Sequence, residues 1–477
     1  MIFSSPEFVI FFFGLIVSLY VFKNAKETYK KIILIAASYF FYGYWDWRLL
    51  WIIALITLFN FFIGGRVYIA HDFRRKIWLL FSIIFNIAVL AYFKYYNFFI
   101  DSITDLLHIN FLSDVKINTI IPIGISFYIF QTITYCVDIH KGKIEPSNFI
   151  DFALFVAFFP KLIVGPISTA AQFLPQLKMN IKLTKENFLF GSRLFLIGWF
   201  KKVLLANSLT IFVDEVFGNI AVFDAVTMIS AVLAYSFQIY YDFSGYSDMA
   251  IGIARILGIS LPDNFNYPYK SRNITEFWRR WHISLSTWIR DYLYIPLGGN
   301  RLGKIRAYIN IFITMGLCGL WHGAGVNFII WGMMHGSYLI VHKLYSSLVI
   351  GGTVKQGDAF EKIRDMKRCL LELLNIGLTY SFVCLGWIFF RAKTMQEAIL
   401  YVDRIFNSTT GVHWIHISFY LIVPLSLIWH IMPNQFQIKY QIIRFDTYPG
   451  MTVSIALIML ILLFSPLAFA PFIYFQF

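Results

Sequence analysis

Long apolar runs, most of them close to the length of a membrane-spanning helix, recur along the chain and are separated by short polar connections. Their continuous hydrophobicity indicates transmembrane helices, because the strands of a membrane barrel are shorter and alternate in polarity. The run 309–349 is long enough for two crossings. The pattern predicts an all-α, polytopic membrane protein with roughly a dozen transmembrane helices plus re-entrant and interfacial helices. The apolar runs are 8–22, 32–45, 49–65, 77–93, 119–137, 188–213, 222–241, 309–349, 372–391, 413–432 and 451–470.

The basic residues in the short loops predict the orientation. Lysines follow the run 8–22 directly, which places that loop in the cytoplasm and the N-terminus outside. No basic region precedes 8–22 and no small-residue cleavage site follows it, so we expect this helix to stay in the membrane. The apolar stretch 151–175 is interrupted by Pro160 and Pro166, and lysines come after it. A re-entrant or broken segment would keep those lysines inside.

The amino-acid composition supports the assignment as a membrane protein and limits the kinds of binding partner that the chain can have. The 477 residues are 58% hydrophobic and 14% charged, against about a quarter charged in soluble domains. The formal charge of +14 does not indicate nucleic acid, since the basic residues sit in short loops between apolar runs, where they also suit membrane lipids or a phosphorylated ligand. The four cysteines have neither metal-ligand nor disulfide-framework spacing. We expect a single domain over 1–477 and no bound metal.

One histidine lies where an ionisable side chain is costly. His322 occurs within the uncharged sequence GLCGLWHGAG, residues 316–325, inside the helical pair 309–349. Intramembrane ionisable residues usually face a bundle interior or a cavity and mark function. The alternative is a buried histidine that hydrogen-bonds a neighbouring helix. The surrounding glycines would let a second helix or a substrate approach closely.

A second histidine belongs to the polar segment 263–306. Residues 276–293, EFWRRWHISLSTWIRDYL, place aromatic side chains on one face of a helix and charged ones on the other, which predicts an interfacial amphipathic helix. His282 would then lie on the flank between these two faces, exposed to water at the level of the lipid headgroups. The many basic side chains of this segment fit positive-inside bias or a vestibule for a phosphorylated donor. They are Lys270, Arg272, Arg279, Arg280, Arg290, Arg301, Lys304 and Arg306.

Two carboxylates end the apolar run 222–241. Asp242 and Asp248 flank Ser244 in the sequence DFSGYSD, and acids at that depth need partners. We expect one of them to pair with Arg255 or with the basic segment. His335, thirteen residues after His322, lacks chelating spacing and is interpreted as structural.

The absence of several catalytic motifs from the sequence limits the class of enzyme that the chain can be. The chain has no serine-nucleophile elbow, no phosphate-binding Walker loop and no zinc-protease motif. A buried histidine flanked by glycine suits general-base work, in which it takes a proton from an alcohol that attacks an activated acyl group.

Several long motifs occur together and in order. They are FWRRWHISLS at 277–286, RDYLYIPLGGNR at 290–301, DFSGYSD at 242–248, WHGA at 321–324, FSS at 3–5 and PFIYFQF at 471–477. In these motifs the chain resembles the bacterial membrane-bound O-acyltransferases over essentially its whole length. The resemblance is greatest to the membrane subunits that O-acetylate alginate and peptidoglycan, and weaker to the D-alanyl transferases of teichoic acid.

The resemblance implies a central tunnel, with His322 as the catalytic histidine and His282 as a second motif histidine near the cytoplasmic entrance. It implies transfer of acetyl from a cytoplasmic thioester, acetyl-CoA, to a hydroxyl of a cell-envelope polysaccharide, directly or through a secreted or membrane-anchored partner. The location would be the bacterial inner membrane, with no resident cofactor. D-alanyl transfer from a carrier protein and a histidine-gated transporter are the alternatives. The expected substrate-binding residues are Asp242, Ser244, Asp248, Trp281, Arg279, Arg280 and Trp321.

Overall fold

The structure, a computed structural model, describes residues 1–108, 116–117, 120–179, 181–349, 361–407, 410–432, 447–464 and 472–473. These residues fold into α-helices joined by turns, short 3₁₀ turns and π-helical turns, and no β-strand forms within those ranges. The helices are α1 (Pro6–Val21), α2 (Glu27–Asp46), α3 (Leu50–Ile69), α4 (Asp72–Leu90), α5 (Tyr96–Leu107), α6 (Ile125–His140), α7 (Phe149–Ala157), α8 (Phe159–Leu162), α9 (Ala170–Leu177), α10 (Lys185–Trp199), α11 (Asn207–Gly218), α12 (Ala225–Ile256), α13 (Ile274–Arg280), α14 (Ile283–Ile289), α15 (Lys304–His322), α16 (Val326–Val349), α17 (Glu361–Arg391), α18 (Met395–Asn407), α19 (Ile417–Ile431) and α20 (Tyr448–Phe464).

Within the described residues, the predicted apolar runs correspond largely to helices, and residues 119 and 465–470 of those runs lie outside the described ranges. Among the described residues, four helical stretches are long and apolar enough to cross a membrane, namely Glu27–Ile69, Asp72–Thr104, Lys185–Gly218 and Leu370–Arg391. Shorter apolar helices add to them, and the run 309–349 divides into two helices, as predicted. The prediction of an all-α, polytopic membrane protein is confirmed.

The chain divides into two compact units. The first contains the described residues of Met1–Trp199, Tyr246–Asp263 and Ile443–Ile455, and the second contains those of Phe200–Gly245, Asn264–Ile442 and Ala456–Phe477.

In the first unit, the interrupted stretch 151–175 forms the short helices α7, α8 and α9, which confirms a broken segment. Its Lys161 is fully buried, donates a hydrogen bond to Gln131, and has its ammonium 4.0 Å from the centroid of the Phe155 ring. Non-helical backbone at membrane depth requires burial within protein. The enclosure of Lys161 shows that this break is packed inside the unit.

In the second unit, α15 and α16 cross at contacting glycines. A Cβ atom added to Gly319 would lie 2.1 Å from the Phe328 carbonyl oxygen, and one added to Gly332 would lie 2.1 Å from the Met315 carbonyl oxygen. No side chain fits in either place, so the glycines permit the backbones to touch, as small residues do at helix crossings in membranes. This crossing positions the C-terminal end of α15, where His322 is found.

The prediction of a single amphipathic helix over 276–293 is wrong. The segment breaks into α13 and α14 at Trp281 and His282, because His282 adopts left-handed backbone angles with φ of +42°. Its aromatic face is buried against protein and not in the acyl boundary: Phe277, Trp281 and Trp288 are all buried. The segment does have the helical periodicity of its sequence, but the break at His282 changes the direction of the chain. His282 is therefore buried within the protein and not on a water-exposed flank.

Candidate active site

His322 is the last residue of α15, and only 3% of its surface is exposed. The helix ends there because the extended Gly323 follows it. Aromatic rings surround the imidazole: the centroids of Trp321, Trp331 and Phe390 lie 4.9, 5.0 and 5.2 Å from its own. An imidazole at the end of a helix in this apolar wall is shielded from bulk water.

His282 reaches the same region from the break between α13 and α14. Left-handed angles are strained for a non-glycine residue and persist where the surroundings enforce them. Asn264 supplies that support: its carbonyl oxygen accepts from the Ile283 N–H at 2.9 Å, and its side-chain oxygen accepts from the Ser284 hydroxyl at 2.6 Å. The strained backbone is therefore anchored directly after His282.

The two histidines are neighbours although they are forty positions apart in the sequence. Their ring centroids lie 6.4 Å apart, and the Trp321 ring lies 6.0 Å from that of His282. His282 has no exposed surface, and burial lowers the pKa of its imidazole well below the usual range. Its ring is consequently neutral near pH 7. The pair can offer a hydrogen-bond donor and a proton acceptor to one reacting group.

A cavity of about 680 Å³ lies between α13–α14 and α15–α16. Neither histidine lines it, but Ile283, the residue after His282, does. Its rim carries Arg279, Arg290 and Lys343. Its wall contains the Trp278 indole nitrogen and the Thr314 hydroxyl, which are buried and have no hydrogen-bond partner in the described part of the chain. Cys318 also lines it, one turn before His322 on α15. The cavity therefore combines basic side chains with buried polar groups, and two of its lining residues are near the histidines in sequence, Ile283 next to His282 and Cys318 one turn before His322.

Asp242 has a partner other than Arg255 or the basic segment, which were the partners expected for one of the two carboxylates. It forms a buried ion pair with Lys202, whose backbone lies in the π-helical turn Phe200–Ala206. Arg255 instead donates to the Ser260 hydroxyl at 2.9 Å. A lysine in the middle of an apolar run needs a counter-charge, and Asp242 supplies it.

The other predicted site residues separate into groups. Trp281 is buried against Trp387, with ring centroids 4.9 Å apart, and Arg280 pairs with Glu276 at 2.8 Å. Ser244 is buried in the second unit, close in sequence to Phe243, which packs against His282. The second unit contains His282, His322, Asp242, Ser244, Arg279, Arg280, Trp281 and Trp321, whereas Asp248 belongs to the first unit.

Sequence reasoning missed the residues that enclose the pair. Phe243 packs on His282 with ring centroids 4.6 Å apart, and Trp331 lies between His322 and His335, whose centroids are 5.0 and 4.9 Å from its own. Aromatic residues are so frequent in this chain that no local signal distinguished these. Lys202 did give a signal, a charge inside an apolar run.

The fold and the site define a membrane-embedded enzyme with a buried histidine pair. The chain belongs to the membrane-bound O-acyltransferase family, whose sequence model matches residues 34–351. It is therefore an acyltransferase, and the transporter alternative is set aside.

Curated relatives fall into three kinds. A probable alginate O-acetylase of Pseudomonas syringae pv. tomato is 41% identical over 404 residues, covering 83% of this chain and 74% of the relative. A peptidoglycan O-acetyltransferase of Helicobacter pylori is 36% identical over 427 residues, with 82% and 76% covered. A teichoic acid D-alanyltransferase of Bacillus subtilis is 28% identical over 301 residues, with 59% and 71% covered.

Proposed function

We propose that the protein is an O-acetyltransferase that moves acetyl from a cytoplasmic thioester to a hydroxyl of a cell-envelope polysaccharide. The observation that carries the proposal is the buried His282–His322 pair, 6.4 Å between ring centroids, in a chain of the acyltransferase family. Acetyl is favoured over D-alanyl because the acetylating relatives share 36–41% identity over more than four-fifths of this chain, against 28% over 59% for the D-alanyl relative.

His322 acts as the base in this proposal. Its imidazole accepts the proton of the acceptor hydroxyl as the oxygen attacks the thioester carbonyl carbon. The carbon–sulfur bond then breaks, and the proton passes from the imidazolium to the leaving thiolate, so that ester and thiol are the products. General base catalysis of this kind contributes about 10²–10⁴-fold.

His282 supplies the second group. As a neutral imidazole it can donate one N–H to the carbonyl oxygen on which charge develops during attack. A fixed donor of that kind in a dry site contributes on the order of 10²–10³-fold. The aromatic enclosure of both rings keeps the site dry, which strengthens that hydrogen bond.

The cavity between α13–α14 and α15–α16 fits the donor, which we propose is acetyl-CoA. Arg279, Arg290 and Lys343 at its rim suit phosphate groups, and the Trp278 and Thr314 side chains in its wall suit the amides of a pantetheine arm. Cys318 lines the cavity and lies one turn before His322 on α15, so the donor would reach His322 past this residue. A carrier protein could deliver the same arm.

The surroundings of the enzyme follow from this assignment. We propose the inner membrane of a bacterium, with the N-terminus outside and the basic connections in the cytoplasm. We also propose that a secreted or membrane-anchored partner receives the acetyl group outside.

The function is tested with purified protein, radiolabelled acetyl-CoA and an oligosaccharide acceptor, alongside mass spectrometry of envelope polymers from cells with and without the protein. We expect acetyl ester formation by the natural chain and a loss of at least about 10²-fold in His322→Ala. The matched control is His416→Ala, which removes a partly exposed histidine outside the site. Undiminished transfer by His322→Ala would contradict the proposal.

The donor assignment is tested through the rim of the cavity. In Arg279→Gln/Lys343→Gln, KM for acetyl-CoA should rise about tenfold or more, since charge-assisted hydrogen bonds are worth about 1.5–3 kcal/mol each. Acetyl-pantetheine, which lacks the phosphates, should not discriminate between this variant and the natural chain. Arg306→Gln, a basic residue of the same segment outside the cavity, is the control. Equal KM shifts in both variants would exclude the cavity as the phosphate site.

A further inference from the structure

A buried ion pair occurs in the second unit where the proposed reaction does not use it. Lys202 and Asp242 form this pair, and each side chain is 4% exposed. A buried pair stabilises little relative to apolar residues, because both ions lose their hydration. Removing one partner is nevertheless strongly unfavourable.

Asp242 has a second partner on a distant segment. Its other carboxylate oxygen accepts a hydrogen bond from the Ile473 backbone N–H at 2.7 Å. The adjacent Phe472 ring lies 6.0 Å from that of Phe243, and the Lys202 ammonium lies 5.8 Å from the Phe472 ring centroid. Both Phe472 and Ile473 are buried. The ion pair thus fastens Phe472 and Ile473 to α12.

This attachment continues to the histidine pair. Phe243, next to Asp242, packs edge-on against His282 with an interplanar angle of 78° and 4.6 Å between centroids. Neither ring nitrogen of His282 has a hydrogen-bond partner in the described ranges. The orientation of its imidazole hence depends on ring contacts, of which Phe243 makes the shortest.

We propose that Lys202, Asp242 and the Phe472–Ile473 segment form a clasp that positions His282. The clasp holds Phe472 against Phe243, and Phe243 holds the imidazole towards His322. Lys202, Asp242 and Phe472 are positioning residues, not catalytic ones. This role concerns the proposed acetyl transfer and rests on it, whereas the packing of His282 can be measured without any reaction.

The hydrogen bond is tested by a pair of substitutions at one position. Ile473→Pro removes the N–H that Asp242 accepts, and Ile473→Val keeps it. His282 is modified with diethyl pyrocarbonate in each full-length protein in detergent, and the modification rate is read by mass spectrometry. We expect the rate to rise about tenfold in Ile473→Pro and to match the natural chain in Ile473→Val, because local opening exposes the ring. Equal rates would overturn the clasp.

Activity provides the second readout. In Ile473→Pro, kcat for acetyl transfer should fall by about tenfold or more, with KM for acetyl-CoA within about twofold, since a misplacement of about 1 Å costs up to 10²-fold. A general loss of folding would instead lower the amount of active protein and the thermal midpoint together. If the natural chain transfers no acetyl, the proposed function fails, while the modification rates still decide whether the clasp exists.

A third variant keeps the inference falsifiable if Ile473→Pro does not fold. Phe472→Leu retains an apolar side chain and the backbone but removes the ring that meets Phe243. The expected result is again faster modification of His282 and lower kcat at unchanged KM. Asp242→Asn/Lys202→Met, which removes both charges together, should accumulate better than Asp242→Asn alone, since no uncompensated buried charge remains. Natural modification rates in Phe472→Leu would overturn the proposal.

Discussion

His322 and His282 meet in one place but are held there by different physical means. His322 ends a regular helix, and the crossing of α15 with α16 at Gly319 and Gly332 determines where that end lies. His282 sits in a break between two short helices, with φ of +42°, and Asn264 anchors the backbone after it. One histidine depends on close helix packing and the other on a strained turn. The two halves of the site should therefore respond to different substitutions.

The largest effect is expected at the helix crossing. Gly319→Ala would place a methyl group 2.1 Å from the Phe328 carbonyl oxygen, so the backbones must separate. Overpacking of this kind costs about 1–3 kcal/mol, and the shift carries His322 with it. Gly316→Ala is the matched control, because the nearest atom to its Cβ is the flexible Met333 side chain at 3.7 Å. Thermal unfolding in detergent, with activity per folded molecule, measures the difference; equal behaviour would show that the crossing does not position His322.

A smaller effect is expected at the strained turn. Asparagine tolerates left-handed angles, whereas valine does not, so His282→Val should be less stable than His282→Asn by about 1–2 kcal/mol. Both variants lose the imidazole and should lose activity alike. Chemical denaturation of the two proteins measures the gap. If valine were as stable as asparagine, the turn would not constrain this residue.

The smallest effect concerns the ion pair on α13, which leads into that turn. Burial alone would raise the pKa of Glu276, but hydrogen bonds from the Arg272 N–H and the Arg280 guanidinium outweigh it, and the pKa lies below its usual range. A lowered carboxylate pKa stabilises the fold above the unfolded pKa, and this contribution disappears as pH falls through the folded pKa. Arg280→Gln should lower stability by about 0.2–1 kcal/mol at neutral pH.

The difference between Arg280→Gln and the natural chain should shrink when Glu276 becomes protonated. Thermal midpoints at neutral pH and at a pH below the carboxylate range measure this, with Arg279→Gln as the control, since Arg279 makes no ion pair with a described residue. A difference that stays constant over this range would mean that packing, not charge, holds α13.

The same contrast explains what could be predicted from the sequence. The membrane helices, the broken stretch 151–175 and the division of 309–349 were predictable, because hydrophobic length and proline position act locally. The approach of a second helix to the glycines near His322 was also predictable, because small residues in membrane helices permit close contact. The two compact units were not, and the expectation of a single domain over 1–477 stays a prediction.

The position of His282 could not be read from local pattern. The periodicity of 276–293 fits one helix, and nothing within that segment reveals the left-handed angles that Asn264 supports from outside it. The Lys202–Asp242 pair was missed because it joins residues forty positions apart. The roles of Ser244, Asp248, Trp281 and Trp321 in substrate binding likewise stay predictions. Such features depend on contacts between residues that are far apart in the sequence. A single sequence gives little local indication of these contacts.

The central claim is that the two histidines work as one unit, and a double-mutant cycle tests it most directly. kcat/KM for acetyl transfer is measured for the natural chain, His282→Ala, His322→Ala and the double variant, with folded protein quantified in each. Residues that act on one reacting group give strongly non-additive losses. We expect the double variant to be scarcely worse than His322→Ala. Losses that multiply, or a His282→Ala variant as active as the natural chain, would contradict the account.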